Sequence, residues 1–184
     1  MNSKDIQRIA VIGAGQMGHQ IGMLCALGGY ETIIQDMNEQ SLIDAKNKLE
    51  AIIGKWVHKG KISSEAKEAA FRRLSFTNTL KEAVSNADFV IEAVVEKLDV
   101  KQSVFKEIDE YAPSHAILAS NSSTIVNSLI ASATNRPEQI VNMHFFFPPL
   151  VMDCVEVVMS EKTSEKTAQT TMQVCKQINR TAVL

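Results

Sequence analysis

The sequence predicts an α/β fold, with a doubly wound, mostly parallel β-sheet covered by helices on both faces. Two patterns support this prediction: β-branched runs alternate with helical stretches along the chain, and a glycine-rich turn joins the first strand to the first helix. The composition, 45% hydrophobic and 22% charged over 184 residues, is that of a globular chain long enough to bury a full core. We expect one domain, residues 1–184.

The expected strands are short runs rich in apolar and β-branched residues. The strands are predicted at Arg8–Ile12, Glu31–Gln35, Leu74–Thr77, Asp88–Val95, Ala116–Ser120, Gln139–Phe146, Cys154–Met159 and Thr181–Leu184. The helices are predicted at Met17–Leu27, Ser41–Val57, Ser64–Arg73, Leu80–Asn86, Val100–Tyr111, Thr124–Ala131 and Ser164–Ile178. The second and third helices, joined by Lys59-Gly60-Lys61, are expected to project from the sheet as a helical hairpin of about residues 41–73.

Charge and cysteine content exclude several classes of protein. The 19 Lys and Arg against 21 Asp and Glu leave a net charge of −2, so no nucleic-acid or acidic-membrane partner is expected. The three cysteines, Cys25, Cys154 and Cys175, are odd in number and far apart, which fits neither a disulfide framework nor a Cys-rich zinc site. We expect no metal site and a reducing, cytoplasmic location. The segment Ile9–Tyr30 is long enough to cross a bilayer, but it holds six of the eight glycines, so no membrane helix is expected.

A glycine-rich loop follows the first predicted strand. The run Gly13-Ala14-Gly15-Gln16-Met17-Gly18 matches G-x-G-x-x-G between a strand and a helix. Gly13 permits a tight turn, Gly15 lets the backbone approach a pyrophosphate, and Gly18 allows close packing of helix on strand. The loop, including Gln16 and Met17, therefore predicts a Rossmann-like domain that binds a dinucleotide.

Asp36, at the end of the second predicted strand, indicates which dinucleotide is bound. A carboxylate there can accept hydrogen bonds from the adenosine ribose hydroxyls but would repel a 2′-phosphate. No Arg or Lys follows within residues 37–40 to neutralise such a phosphate. NAD is therefore predicted over NADP, and the alternative is that Asp36 caps the next helix.

A histidine and a glutamate are expected to face each other across the C-terminal strands. If the two strands that flank the loop centred on Leu150 pair antiparallel, the numbers of paired residues have a constant sum, and His144 lies opposite Glu156. A carboxylate that holds a histidine in one tautomer is a familiar acid–base arrangement. The alternative is a satisfied strand histidine with a glutamate at the sheet edge.

Three further positions have two interpretations each. Hydroxyls of the run Ser120-Asn121-Ser122-Ser123-Thr124 lie where ligands bind open α/β sheets, but Ser122 or Ser123 can equally cap the following helix. Glu96, just after a predicted strand, is equally ambiguous. Lys101, taken alone, is interpreted as a solvated charge on a helix.

The sequence resembles the NAD-binding domain of the short-chain L-3-hydroxyacyl-CoA dehydrogenases, the 3-hydroxybutyryl-CoA dehydrogenase group. The resemblance runs along essentially the whole chain. It is carried by four segments: Ile12-Gly-Ala-Gly-Gln-Met-Gly18, Val90-Ile-Glu-Ala-Val-Val-Glu96, Ala119-Ser-Asn-Ser-Ser-Thr124, and His144-Phe-Phe146 followed by Val155-Glu156-Val157.

This resemblance implies a role for each matching residue. His144 is the base that removes the 3-hydroxyl proton, and Glu156 orients and stabilises the imidazolium. Ser123 hydrogen-bonds the reacting oxygen of the substrate, and Glu96 and Lys101 match positions that contact the cofactor. The hairpin resembles helices that contact coenzyme A, where Lys59 is a plausible partner for a CoA phosphate.

The implied activity is hydride transfer between NAD and (S)-3-hydroxyacyl-CoA or 3-ketoacyl-CoA, with short acyl chains. The alternatives are a non-catalytic, redox-sensing NAD(H)-binding module and another β-hydroxyacid dehydrogenase. Two departures bear on the fine geometry of the site and on substrate preference: Phe147 stands where the family usually has Asn, and Asp153 stands where a lysine is common.

The chain ends at Leu184, inside the last predicted strand. Members of the resembled family continue from this strand into a helical C-terminal domain that adds a catalytic asparagine and forms most of a dimer interface. The resemblance therefore implies that this domain is absent here, that the full-length protein is a homodimer, and that this chain alone binds NAD with weak activity at best.

Overall fold

A computed structural model describes residues 6–184 of the protein. The strands are β1 (Arg8–Ile12), β2 (Glu31–Gln35), β3 (Leu74–Thr77), β4 (Phe89–Glu92), β5 (Ile117–Ser120), β6 (Ile140–Phe145), β7 (Cys154–Val158) and β8 (Thr181–Val183). The helices are α1 (Gly18–Leu27), α2 (Glu39–His58), α3 (Ser64–Arg73), α4 (Leu80–Val84), α5 (Leu98–Tyr111), α6 (Asn127–Ala131) and α7 (Glu165–Gln177). A short 3₁₀ turn at Pro137–Gln139 precedes β6.

The eight strands form a single sheet in the order β3-β2-β1-β4-β5-β6-β7-β8. The six strands from β3 to β6 in this order are parallel, whereas β7 pairs antiparallel with β6, and β8 runs parallel to β7. The order reverses direction at β1, which is the doubly wound arrangement. The predicted mostly parallel sheet with antiparallel C-terminal strands is confirmed.

Alternate residues of the central strands point to opposite faces of the sheet, as the pleat requires. In β1, Ile9 and Val11 belong to one buried cluster, packed with α1, α2, α3 and α7. Ala10 and Ile12 belong to the other cluster, packed with α4, α5 and α6. Each face of the sheet is therefore covered by helices, and the apolar character of these strands follows from burial on both sides.

The predicted helical hairpin is confirmed as α2 and α3. Asn38 caps α2 by accepting hydrogen bonds from the amides of Gln40 and Ser41, and Ser63 caps α3 by accepting one from Ala66. The turn between the helices contains Gly60 with φ of +67°, a conformation that favours glycine.

Two predicted elements are at least three residues shorter in the structure. The strand expected over Asp88–Val95 ends at Glu92, since the Glu92 carboxylate accepts a hydrogen bond from the Val94 amide and turns the chain. The helix expected from Thr124 begins at Asn127, because the preceding segment binds the Glu96 carboxylate rather than continuing a helix. Among the helices of residues 6–184, none is both long and apolar enough to cross a membrane.

Candidate functional site

The predicted site residues gather at one edge of the sheet. The glycine-rich loop follows β1, Asp36 follows β2, and Glu96 follows β4. The segment of residues 121–124 follows β5, and His144 lies near the end of β6. Because these strands are parallel, their carboxyl ends meet at the edge where open α/β sheets bind ligands.

The glycines of the loop have the three different environments that the motif predicts. A Cβ added to Gly18 would lie 1.7 Å from the carbonyl oxygen of Gly13, so α1 approaches β1 as only glycine permits. Gly13 has φ of +101°, and a Cβ added to it would lie 2.6 Å from the Ala93 carbonyl oxygen. Around Gly15, by contrast, no atom of the described residues other than Gly15 and its two chain neighbours lies within 4 Å of such a Cβ. The loop therefore leaves open space beside Gly15, where a pyrophosphate would approach the backbone.

The carboxylate of Asp36 is bound to the glycine-rich loop. One of its oxygens, Oδ2, accepts a hydrogen bond from the Ala14 amide at 2.9 Å, and Oδ1 accepts one from Asn38 at 2.9 Å. The alternative interpretation of Asp36 as the cap of the next helix is wrong, because Asn38 caps α2. Asp36 thus lies half-buried between β2 and the loop.

His144 contacts its expected partner Glu156 and also Ser123, which was not predicted as its partner. Its Nδ1 lies 2.8 Å from Oε2 of Glu156, and its Nε2 lies 3.1 Å from Oγ of Ser123. The two strands pair in the register expected from the sequence, with His144 opposite Glu156. An ionised carboxylate only accepts hydrogen bonds, so Nδ1 carries the proton and the lone pair of Nε2 accepts the Ser123 hydroxyl. The side chains of His144 and Glu156 are 18% and 47% exposed, so solvent and a ligand can reach the pair.

The carboxylate of Glu96 holds the segment that carries Ser123. Its Oε1 accepts hydrogen bonds from the amides of Ser123 (3.1 Å) and Thr124 (3.0 Å), and from the hydroxyls of Thr124 and Ser122. Burial alone raises the pKa of Glu96, but the hydrogen bonds from Ser122 and Thr124 and the charge of Lys101 outweigh it and lower the pKa to about 2. Ser122 also accepts from the Ile125 amide, so part of the expected capping does occur, in a turn before α6.

Lys101 is buried, with 1% of its side chain exposed, so its interpretation as a solvated helix charge is wrong. Its ammonium lies 2.6 Å from Oε1 of Glu92 and 3.3 Å from Oε2 of Glu96. Glu92 was not among the site residues predicted from the sequence, although a glutamate at the end of an apolar strand indicates that the carboxylate needs a buried partner. A second signal was available in α5, where Lys101 shares the buried face with Phe105 and Ile108.

Three other residues lie apart from the His144 contacts. Lys59 is exposed at the end of α2, on the hairpin. Phe147, which follows β6, is 58% exposed. Asp153 joins β8 to β7, because its carboxylate accepts a hydrogen bond from the Thr181 hydroxyl and its carbonyl accepts one from the Thr181 amide.

The residues at this edge fit a dinucleotide. Met17, at the N-cap of α1, makes no side-chain cap hydrogen bond, so its side chain does not compete with an anion for the start of the helix. Gly15 leaves room for the phosphates, and Asp36 places a carboxylate at the end of β2. A cleft of about 610 Å³ lies beside His144 and Glu156, lined by residues of the segment 122–128 and of the end of β7. The site thus combines room for a cofactor with a histidine that can accept a proton.

Comparison with known proteins gives consistent matches over the same residues. Residues 8–184 match the family model described as "3-hydroxyacyl-CoA dehydrogenase, NAD binding domain". A probable 3-hydroxybutyryl-CoA dehydrogenase of Bacillus subtilis (strain 168) is 37% identical over 179 residues, which are 97% of this chain and 62% of that protein. The glyoxysomal fatty acid beta-oxidation multifunctional protein MFP-a of Brassica napus is 35% identical over 181 residues, 98% of this chain and 25% of that protein.

Solved structures show the same fold. The crystal structure of 3-hydroxybutyryl-CoA dehydrogenase from Escherichia coli K12 has a TM-score of 0.94 at 31% identity, and the match covers 97% of this chain and 38% of that one. The corresponding enzyme PaaH1 from Ralstonia eutropha has a TM-score of 0.93 at 28% identity, covering 97% of this chain and 63% of that one. The chain thus spans less than two thirds of each of these relatives.

Proposed function

Because this chain belongs to the 3-hydroxyacyl-CoA dehydrogenase family, as its NAD-binding domain, we propose that it takes part in hydride transfer between NAD and a 3-hydroxyacyl-CoA. The observation that carries this proposal is the position of His144, bound to Glu156 through Nδ1 and to Ser123 through Nε2 at the cofactor edge of the sheet. We assign short acyl chains, as in 3-hydroxybutyryl-CoA and acetoacetyl-CoA, as the substrate class.

In the oxidation direction, Nε2 of His144 takes the proton of the 3-hydroxyl group. A bound NAD would supply the acceptor for the hydride of C3, which is the chemistry that converts the alcohol to a ketone. The imidazolium that forms is stabilised by the Glu156 carboxylate, which already holds Nδ1 at 2.8 Å. Glu156 therefore acts on the protonated form of His144 more strongly than on the neutral form, and that difference lowers the barrier.

Ser123 contributes a hydroxyl beside the reacting oxygen. In this structure it donates to Nε2 of His144, the atom that would receive the substrate proton. A substrate hydroxyl bound there can take over this hydrogen bond and leave the Ser123 hydroxyl free to donate to the substrate oxygen. Ser123 thereby serves both substrate binding and catalysis in this proposal.

The remaining residues bind the two ligands. The loop residues Gly13, Gly15, Gln16, Met17 and Gly18 receive the pyrophosphate, and Asp36 receives the adenosine ribose. Lys59, exposed on the hairpin, meets a phosphate of coenzyme A as a compact cation that needs no bidentate geometry. Glu96 and Lys101 are assigned to the nicotinamide end of the cofactor; this is supported by the hydrogen bond from the Ser123 amide to Glu96 and by the 3.3 Å distance from Lys101 to Glu96.

The reduction of acetoacetyl-CoA by NADH tests the proposal, with NADH binding measured in parallel by fluorescence. We expect saturable NADH binding and consumption of NADH that depends on acetoacetyl-CoA and is lost in His144→Ala. The matched control is His115→Ala, which removes an exposed histidine that contacts Asp88 and not the His144 site. This variant should turn over acetoacetyl-CoA at the same rate as the unaltered chain. NADH binding without oxidation by any acyl-CoA would support the redox-sensing alternative.

A further inference from the structure

The side chain of Gln20 lies between two loops of the candidate site. Gln20 is in the first turn of α1 and is 6% exposed. Its Nε2 donates to the Gln16 carbonyl oxygen at 3.2 Å, and its Oε1 accepts from the Leu150 amide at 3.3 Å. Because a carboxamide carries both a donor and an acceptor, one buried side chain can hold a carbonyl group and an amide at once. Gln20 thus joins the glycine-rich loop to a segment 130 residues further along the chain.

Leu150 lies in the loop between β6 and β7, residues 146–153, which we call the β6–β7 loop. This loop connects the two strands that carry His144 and Glu156. Leu150 is 4% exposed and belongs to the apolar cluster that also packs α1. Its hydrogen bond to Gln20 is therefore shielded from bulk water, where the loss of a partner is costly. One side chain thus connects the turn expected to bind a dinucleotide with the strands of the expected acid–base pair.

A second side chain also holds the β6–β7 loop. The guanidinium of Arg180, next to β8, donates to the Pro149 carbonyl oxygen from Nε at 3.2 Å and from Nη2 at 2.9 Å. The other acceptor of this guanidinium is the Asn179 carbonyl oxygen. Of the hydrogen bonds described for residues 6–184, those of Gln20 alone reach both loops. Arg180 therefore fixes the β6–β7 loop, whereas Gln20 also relates its position to that of the glycine-rich loop.

We propose that Gln20 is a positioning residue that couples the glycine-rich loop to the β6–β7 loop, so that dinucleotide binding steadies the strands of His144 and Glu156. The loop around Gln16 becomes ordered when a pyrophosphate is bound, and this fixes the Nε2 end of the Gln20 side chain. The Oε1 end then stays on the Leu150 amide. The inference rests on the proposed function and deepens it: Gln20 acts through the two loops and contacts neither the transferred hydride nor the proton.

Amide hydrogen exchange, followed by NMR on the full chain, tests this coupling without depending on turnover. The Leu150 amide reports directly on its bond to Gln20 and is measured with and without saturating NADH. Gln20→Met removes both hydrogen bonds but keeps the length of the side chain. Arg180→Met removes the other hold on the β6–β7 loop. The matched control is Gln177→Met, which removes an exposed glutamine that donates to the Gly28 carbonyl oxygen. The amides of β1 and β5 report on global stability.

In the unaltered chain we expect NADH to slow the exchange of the Leu150 amide by about 5-fold. In Gln20→Met this amide should exchange at least ~10-fold faster and should no longer respond to NADH. Because a coupling acts equally in both directions, the NADH Kd of Gln20→Met should rise by about the same 5-fold. The kcat for acetoacetyl-CoA reduction should fall about 10-fold, with KM for acetoacetyl-CoA within about 2-fold. Arg180→Met should retain the NADH response, and Gln177→Met should match the unaltered chain.

Three results would overturn the inference. The first is a Leu150 amide that does not respond to NADH in the unaltered chain; this measurement needs no variant, so it decides the question even if Gln20→Met does not fold. The second is a Gln20→Met chain in which NADH still slows the Leu150 amide. The third is an NADH Kd raised more than about 20-fold in folded Gln20→Met, which would make Gln20 a direct cofactor contact. If the unaltered chain binds NADH but does not reduce acetoacetyl-CoA, the proposed function fails, and the exchange measurement still decides the coupling.

Discussion

His144 and Glu156 face each other across β6 and β7 in direct register, with Nδ1 of the imidazole 2.8 Å from Oε2 of the carboxylate. The Glu156 side chain is 47% exposed, so solvent screens the attraction between the two groups. The pair therefore contributes little to the free energy of folding. Its consequence is chemical: it leaves the lone pair of Nε2 facing the site and favours the imidazolium when a proton arrives.

We predict that Glu156→Gln lowers kcat for acetoacetyl-CoA reduction by at least ~10²-fold, the usual scale for positioned acid–base groups. The amide has no charge to stabilise the imidazolium and can hold the ring in the wrong tautomer. NADH affinity and Tm should barely change, since the Glu156 side chain is 47% exposed and makes its hydrogen bond to His144 rather than to the glycine-rich loop. Steady-state kinetics and an NADH titration check this, with Glu107→Gln on the exposed face of α5 as the control. Retained kcat with lost NADH binding would reverse the assignment.

Gly15→Ala and Gly18→Ala should have different effects although both lie in one loop. The Gly15 Cβ would meet open space, so we expect Tm within about 2 °C but NADH Kd raised at least ~10-fold, because the methyl group occupies the place of the pyrophosphate. The Gly18 Cβ would lie 1.7 Å from the Gly13 carbonyl oxygen, so that variant should lose about 3 kcal/mol or more of stability. Thermal unfolding and NADH titration of both variants separate the two effects. Equal loss of Tm in both would contradict the prediction.

Asp36→Ala should narrow the preference for NAD over NADP. The carboxylate that repels a 2′-phosphate is removed, so we expect NADPH to bind at least ~5-fold better relative to NADH than before. The ratio of the two dissociation constants, measured by fluorescence titration, is the readout. Asp44→Ala, an exposed change on α2 where Asp44 accepts from Gln40, is the control for net charge. An unchanged ratio in Asp36→Ala would remove Asp36 from the cofactor site.

The fold and the facing of His144 and Glu156 were predictable because they depend on local patterns. Strands such as β1 are β-branched runs that end at glycine. The facing of His144 and Glu156 follows from strand pairing about a loop centred on Leu150, which needs no knowledge of other elements. The glycine-rich loop was likewise predictable, because its pattern is contained in six consecutive residues.

Contacts between distant elements were not predictable from these patterns. Lys101 was interpreted as solvated because the residues next to it in the sequence do not indicate an ion-pair partner. Its partner Glu92 lies on β4, and only the folding of the chain brings the Glu92 carboxylate within 2.6 Å of the Lys101 ammonium. The predicted start of α6 was wrong for the same reason. The amides of Ser123 and Thr124 donate to Glu96, which lies 27 and 28 residues earlier in the chain. The local sequence favoured a helix from Thr124, but the hydrogen bonds to the Glu96 carboxylate keep this segment out of the helix.

The contribution of Glu96 to the free energy of unfolding should depend on pH, because only the ionised carboxylate makes the stabilising contacts. Its pKa is lowered to about 2 in the folded chain from an ordinary 4.5, so this contribution is complete above pH 4.5 and is lost as the pH falls from about 4.5 to about 2. Glu96→Gln should cost about 1 to 2 kcal/mol at pH 7, less than the full shift implies because 38% of the side chain is exposed. Urea unfolding at pH 7, 4 and 3 should show the gap between the two chains narrowing toward acid. A gap that stays constant over this range would refute the prediction.

The assignment of Lys59 to a phosphate of coenzyme A makes a prediction about substrate size. Lys59→Gln should raise KM for acetoacetyl-CoA by about 5-fold and leave kcat nearly unchanged, because a remote charge contact is made equally in the ground and transition states. A truncated thioester without the nucleotide, acetoacetyl-N-acetylcysteamine, has no phosphate for Lys59 to meet, so the variant and the unaltered chain should use it equally well. Raising the salt concentration should reduce the difference in KM for acetoacetyl-CoA, since Lys59 is exposed and its charge is screened. Lys106→Gln, a change of the same charge on an exposed position of α5, serves as the control. A Lys59→Gln effect of equal size on both substrates would place the residue's role in the hairpin structure rather than in phosphate binding.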